Sequence, residues 1–315
     1  RTFREVTYQR QMCHPNIVGL LGTLRASNGR DLYLVLESMH MSLEGALKQR
    51  ALLPSHAERI RKLFYQLLCA LKYLHSGNLV HRDIKPANLL VSKGDILKVC
   101  DFGVSRRLPI DSVDDRPLLT QYMGSRWYRA PEVLVGSTEY TTASDLWQAG
   151  CVLGELSTGH VFFQGKGTQH QLAIIIAAIG RPDEGGIPAP AFWSPYAPQL
   201  VAEAVQNPAV QKPNASTELG DKLPKTTPAS AVALLRDLLS WKHGLQRITA
   251  TAALTHEYVA ALSTGREPDW VGSFSAPFDE KVQRSAKAYR SQLYKSAGVV
   301  ADAVLGGAPA AGAAA

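Results

Sequence analysis

Apolar side chains recur along this chain in two rhythms, and the change between them divides it. Within residues 56–75 they stand at Ile60, Leu63, Phe64, Leu67, Leu68, Leu71 and Leu74. Steps of three and four put them in one stripe on a helix. Ser76-Gly77-Asn78 follows, a helix stop. Ahead of it, short apolar runs at 17–21 and 32–36 flank Ser27-Asn28-Gly29, which predicts strand, turn, strand. Residues 1–12 are charged helix formers that His14-Pro15-Asn16 terminates. Residues 79–92 and 96–103 hold short apolar stretches joined by polar turns. Beyond Pro131 the pattern is helical to about residue 262, except at 180–228, where prolines are too frequent for long helices. Phe278, Val282, Ala286, Tyr289 and Leu293 form a last stripe, accompanied by Lys281, Arg284, Lys287 and Arg290. Residues 306–315 are only Ala, Gly and Pro and are expected to be disordered.

Composition narrows the class. Of 315 residues, 45% are hydrophobic and 19% charged, ample for a buried core. The longest apolar run, 172–179, is far too short to span a membrane. Net charge is +7 with the two signs interspersed, which admits an anionic partner such as a nucleotide and does not point to nucleic acid. Cys13, Cys69, Cys100 and Cys151 form no C-x-x-C pair and no metal spacing, so they read as reduced thiols of a cytoplasmic or nuclear protein. Asn214-Ala215-Ser216 fits a glycosylation acceptor by pattern alone. The chain opens at Arg1, without Met or signal peptide, inside what reads as a helix; a preceding segment is expected.

The chemistry concentrates in residues 81–88, HRDIKPAN. Asp101-Phe102-Gly103 follows, its Asp eighteen positions after Asp83, and Ala130-Pro131-Glu132 comes later. Each tripeptide alone is uninformative, since a lone Asp is more often a turn or cap. In this order and spacing they resemble the catalytic loop, metal-binding loop and activation segment of a eukaryotic protein kinase. The resemblance implies an α+β, two-lobe kinase fold with a mostly helical large lobe. It implies that Asp83 accepts or orients the proton of a substrate hydroxyl and that Lys85 steadies the γ-phosphate of ATP. Asn88 and Asp101 offer the hard oxygens that suit Mg²⁺. Glu37 and Met39 match the linker whose backbone binds adenine, with Leu36 as gatekeeper and Leu90 as the floor. Cys100 would line the same site, although core packing explains Leu90 equally well and a Cys so placed is more often a small apolar filler.

Thr120-Gln121-Tyr122, followed by the run MGSRWYRAPE, resembles the activation lip of the mitogen-activated protein kinases, within the CMGC group. There both hydroxyls are phosphorylated, and phosphates need arginine partners to order a segment. The candidate anchors are Arg82, Arg106, Arg1 and Arg4. The lip's middle residue is Gln121 where the family usually carries an acid, Pro or Gly, so an upstream activating kinase and self-phosphorylation both stay open. Arg126 and Arg129 match arginines that favour Pro after the phosphorylated residue, which implies protein substrates with Ser/Thr-Pro sites. Asp145 matches the aspartate that holds the catalytic loop backbone, and Arg247 the late arginine that pairs with Glu132. The resemblance further implies a monomer without nucleic-acid or membrane partners. The tail is similar to that of the atypical branch with long C-terminal extensions, and its acidic docking patch is thin, with only Glu267 and Asp269.

The expected division is a partial small lobe at 1–36 (helix C and strands 4–5 only), a large lobe at 37–262, a tail at 263–299 and low-complexity sequence at 300–315. No G-x-G-x-x-G and no V-A-I-K-like strand occurs in the chain, while Glu5 matches the helix glutamate that such a lysine pairs with. Two readings follow: part of a mitogen-activated Ser/Thr kinase that transfers no phosphate in this form, or a kinase-like binding module. Asp83, Asn88 and Asp101, the residues that inactive relatives lose, favour the first.

Overall fold

The apolar stripe at 56–75 becomes α3, Ala57–Ser76, and all seven of its stripe residues are buried. The structure, a computed structural model, describes residues 2–26, 28, 31–108, 126–137, 140–182, 194–207, 210, 219–241, 247–272, 274–275 and 285–305. At the end of α3 the left-handed residue is Asn78 (φ 58°) rather than Gly77. Gly77 is small for another reason: a Cβ there would lie 2.5 Å from the Phe274 ring. Trp270 stacks on Phe274 at 4.2 Å, and Tyr73 meets both edge-on, so the C-terminal segment is strapped across the end of α3.

The opening helix, α1, spans Thr2–Gln9 and ends short of Met12 because its last turn tightens to i→i−3 bonds, Gln11 N to Tyr8 O and Met12 N to Gln9 O. β1 (Leu20–Arg25) and β2 (Leu32–Leu36) pair antiparallel, as the two apolar runs predict. The first strand nevertheless starts later than expected. Ile17 and Val18 are drawn onto Val99 instead, which ties the hairpin to the body.

Two small antiparallel sheets then set up the site. β3 (Met41–Ser42), β5 (Leu89–Val91) and β6 (Leu97–Val99) form one in the order β3-β5-β6; β4 (Leu79–Val80) pairs β7 (Arg106–Arg107) in the other. Residues 81–88 therefore link β4 to β5, and residues 100–105 link β6 to β7. The two loops are side by side because their flanking strands are paired.

Between β3 and α3 lies α2 (Leu43–Lys48), N-capped by Ser42. After β7 come α4 (Pro131–Leu134), α5 (Thr142–Thr158), α6 (Thr168–Ile179), α7 (Ala197–Val205), α8 (Ala229–Leu238), α9 (Ala250–Leu254) and α10 (Glu257–Ala260). The Pro-rich stretch thus still holds a nine-residue helix, α7, with Pro198 in its first turn. α5 is buried on all sides, with Trp147 and Arg247 packed together at its middle. Gly150 is required there because a Cβ would meet Leu239 at 2.8 Å. The tail helix, α11, spans Ala286–Leu305, so residues 300–305 extend the helix rather than belonging to a structureless end. It lies against α1 and β1: Tyr289 packs on Phe3, and the Arg25 guanidinium covers the Tyr294 ring. Phe278, Val282, Lys281, Arg284 and residues 306–315 fall outside the described residues. The fold is α+β and helix-rich, and among the described residues no helix is long and apolar enough to cross a membrane.

Candidate active site

Residues 81–84 are held by α5. Asp145, fully buried, accepts the His81 N–H on Oδ2 and the Arg82 N–H on Oδ1, both at 2.8 Å, and meets His75 Nε2 at 3.0 Å. One turn on, Gln148 accepts the Ile84 N–H at 2.9 Å and donates to Arg82 O at 3.3 Å. Such bonds fix a backbone that would not hold this shape alone: Arg82 sits at φ 73°, a left-handed conformation costly for a side-chain-bearing residue. His81 Nδ1 accepts the Asp83 N–H at 3.3 Å, so its hydrogen is on Nε2, which donates to Cys100 O at 3.0 Å. Burial pushes the His81 pKa down, against the pull of Asp145, in keeping with that neutral ring bridging the two loops.

The side chains singled out in the sequence project from this frame. Asp83 Oδ2 accepts from Lys85 Nζ at 2.7 Å and from Asn88 Nδ2 at 2.9 Å. Its Oδ1 has no protein partner among the described residues. Asn88 gives its other amide hydrogen to Asp83 O at 2.8 Å, so its Oδ1 is the atom left to accept. The Cys100 N–H donates to Asn88 O at 3.0 Å, which sets Asp101 beside Asn88. Asp101 is also left-handed (φ 62°) and accepts the Gly103 N–H on Oδ1 at 3.2 Å. The described residues hold no cluster of three His, Cys, Asp or Glu suited to a metal. A Mg²⁺ site needs only one or two protein oxygens beside the phosphates, and the Asn88 amide oxygen with the Asp101 carboxylate fits that donor set.

Cys100 lies against Asn88 O at 3.4 Å, and burial, helped by Asp101 and Glu5, pushes its thiol up to about 12. At pH 8 iodoacetamide is accordingly expected to alkylate exposed Cys13 and leave Cys100 unmodified, read by peptide mass spectrometry. Equal labelling of both would contradict this placement.

At the end of β2, the Glu37 N–H donates to Gly19 O at 2.9 Å, while its carboxylate grips Lys98 at 2.7 Å. Burial opposes ionisation of Glu37, but that lysine and the Gly19 N–H outweigh it and lower its pKa. The carbonyl of Glu37 and the N–H of Met39 are left without a protein partner among the described residues. Leu36 remains 36% exposed at the strand end, and Leu90 is half-buried in β5.

Three of the predicted phosphate anchors converge behind Asp101. Arg4 of α1 donates to Gly103 O at 3.2 Å, Arg82 to Val104 O at 3.2 Å, and Arg106 to Ser105 O at 3.0 Å. Arg1, Thr120, Gln121 and Tyr122 lie outside the described residues. Arg126 opens the short helical turn Arg126–Tyr128, and Arg129 follows it, joined by the bond from Arg129 N to Arg126 O. Glu132 and Arg247 meet in a two-pronged pair at 3.0 and 3.1 Å. Glu267 and Asp269 are internally engaged: Glu267 accepts from Tyr65 and Ser263, and Asp269 bridges Lys72 at 2.8 Å. Burial raises the Glu267 pKa, yet these hydrogen bonds overcome it and hold the group near 2.

Pattern reading missed Gln148, Tyr140 and His75, which complete the support of the loop. Tyr140 stacks on the Arg82 guanidinium at 5.1 Å and bonds Gln148. The one available signal was Gln148 standing three residues after Asp145 on the same helix, a spacing that puts both side chains on one face.

A helical lobe that clamps an Asp–Lys–Asn loop beside a second loop carrying Asp-Phe-Gly defines the protein kinase class. The protein kinase domain model matches residues 1–259. The chain is 38% identical over 300 residues to extracellular signal-regulated kinase 2 of Dictyostelium discoideum, covering 93% of this chain and 77% of that one. It is 38% identical to mitogen-activated protein kinase 15 of Xenopus laevis, of which it covers 49%. It is 34% identical to extracellular signal-regulated kinase 7 of Drosophila melanogaster, of which it covers 32%. The chain belongs to the protein kinase family, in its mitogen-activated branch. It spans half or less of the Xenopus and Drosophila relatives.

Proposed function

We propose that these residues serve a Ser/Thr kinase that moves the γ-phosphate of ATP to hydroxyls followed by Pro in protein substrates. The observation that carries this reading is the Asp83 carboxylate. One oxygen is gripped by Lys85 and Asn88 and the other is open among the described residues, which suits a group that must orient a hydroxyl and take its proton at Oδ1. Lys85 lies beside it as a positive charge for the transferring phosphoryl group. Asn88 Oδ1 and Asp101 would hold Mg²⁺, which supplies charge neutralisation on the phosphate oxygens. The Glu37 carbonyl and Met39 N–H would take the adenine edge, with Leu36, Leu90 and Cys100 around the base. Residues 37–262 form the large lobe in this reading, residues 1–36 contribute α1 and the hairpin to the small one, and residues 263–299 form a tail.

Phosphorylation of Thr120 and Tyr122 would be the switch. The guanidiniums of Arg4, Arg82 and Arg106 already lie within one short stretch of backbone, where an added phosphate gains several charge-assisted bonds at once. Because no Gly-rich loop or strand lysine is among these 315 residues, they are expected to transfer no phosphate by themselves. Placing the corresponding strands of the Dictyostelium relative ahead of Arg1 is expected to restore transfer to a Ser-Pro peptide and not to its Ser-Ala counterpart. If that fusion binds ATP and still transfers nothing, the binding-module reading takes precedence. Equal rates on both peptides would remove the Pro preference.

A further inference from the structure

A cavity of about 660 Å³ opens between the Arg126–Tyr128 turn and residues 164–166, lined by Arg126, Trp127, Gln164, Gly165 and Lys166. Its two walls are braced to each other. Trp127 Nε1 donates to Gly165 O at 3.1 Å. Gln171, fully buried on α6, accepts the Gly165 N–H at 2.7 Å and donates to Trp127 O at 3.2 Å and Phe163 O at 3.0 Å. Gly165 has no room for a side chain, since a Cβ there would lie 2.6 Å from Gln171 Cα. The indole is thus locked in place, and the cavity is formed before anything enters it.

Among the described residues its charge is one-sided. Arg126 and Lys166 are both exposed, and neither has an acidic partner among the described residues. Lys48, Lys72, Lys85 and Lys98, by contrast, are all paired with carboxylates. Two cations in one lining with an indole, and the Gln164 amide as a further donor, suit a small anion carried on a peptide backbone. A bidentate guanidinium and a point-charge ammonium are the usual partners of phosphate.

We infer that this cavity is an anion subsite for a phosphorylated or acidic side chain of a protein substrate. Its placement rests on the Pro-directed reading: Arg126 belongs both to the cavity and to the proposed Pro pocket, so a peptide held at one reaches the other. Selection is then for two features, Pro beside the acceptor hydroxyl and an anion farther along the peptide.

The test uses the full 315-residue chain with Thr120→Ala and Tyr122→Phe, so that the only phosphate is on the added peptide. Four fluorescent peptides, Ser-Pro or Ser-Ala at the acceptor and serine or phosphoserine downstream, are titrated by anisotropy. The downstream phosphate is expected to tighten binding about tenfold, less so at high salt. Lys166→Ala is expected to abolish that gain. Lys48→Ala removes the same charge from a lysine already paired with Glu44 and is expected to preserve it. Equal binding with and without phosphate, no binding by any peptide, or equal losses in the two lysine variants would overturn the subsite. A phosphate gain without a Pro preference would keep the subsite and overturn the Pro-directed reading instead.

Discussion

Asp83→Asn, introduced into the fusion with the strands of the Dictyostelium relative, is expected to lower phosphotransfer by roughly 10²–10⁴-fold, the range for removing a positioned general base. The substitution keeps the shape of the side chain and an oxygen for Lys85 and Asn88, so the loop has no reason to move. Its open atom can no longer take a proton. Thermal unfolding should therefore change little while the rate collapses, and single-turnover transfer to the Ser-Pro peptide reads the difference. A loss below tenfold would mean that another group handles the proton. The pairing of the two measurements matters because Asp83 is buried, and a folding defect would also reduce activity.

Arg247→Ala is expected to cost about 3–5 kcal/mol of stability, the penalty for stranding one member of a buried ion pair. Arg247 and Glu132 have side-chain exposures of 0% and 1%, so neither end has water to fall back on. Glu132 Oε1 also accepts from Ser144, and Arg247 donates to Ala143 O and Ser240 O, which leaves the guanidinium saturated. The pair joins α4, directly after the activation segment, to the end of α8 and the start of α5. Against a typical total of about 5–15 kcal/mol, this loss is a large share. A chain of this size should lose about 2–4 °C of melting temperature per kcal/mol. Arg247→Lys should fall between, because an ammonium cannot make the two parallel bonds. If Arg247→Ala melts within 2 °C of the parent, the pair contributes nothing measurable.

Much of the site was readable because the chemistry depends on residue types at short, fixed separations. Asp83, Lys85 and Asn88 lie within six positions, and the loop that carries them folds on itself. The stripe of α3 was equally plain, since one face of it had to find the core, and two apolar runs around a turn signal marked the pairing of β1 with β2, although β2 buries none of its residues. The supports were less legible. His75, Tyr140 and Gln148 are ordinary residues in a sequence; only α5 packed under the loop turns them into ligands for its backbone. The acidic patch at Glu267 and Asp269 reads as thin in the sequence, and the fold engages both groups, Glu267 with Tyr65 and the still exposed Asp269 with Lys72.

The sequence by itself determined the family and the loop that carries Asp83, because these follow from which side chains are present and how far apart they stand; the Glu132–Arg247 pair was implied only by the resemblance to that family. Tertiary structure alone decided which atoms are held and which are left open. Among the described residues, hydrogen-bond competition leaves Asp83 Oδ1 open while Oδ2 is held, commits the Glu37 N–H to Gly19 and not its carbonyl, and leaves Arg126 and Lys166 lining a cavity without an acidic partner. Spacing along a chain cannot report these outcomes, since each depends on donors and charges brought in from distant segments.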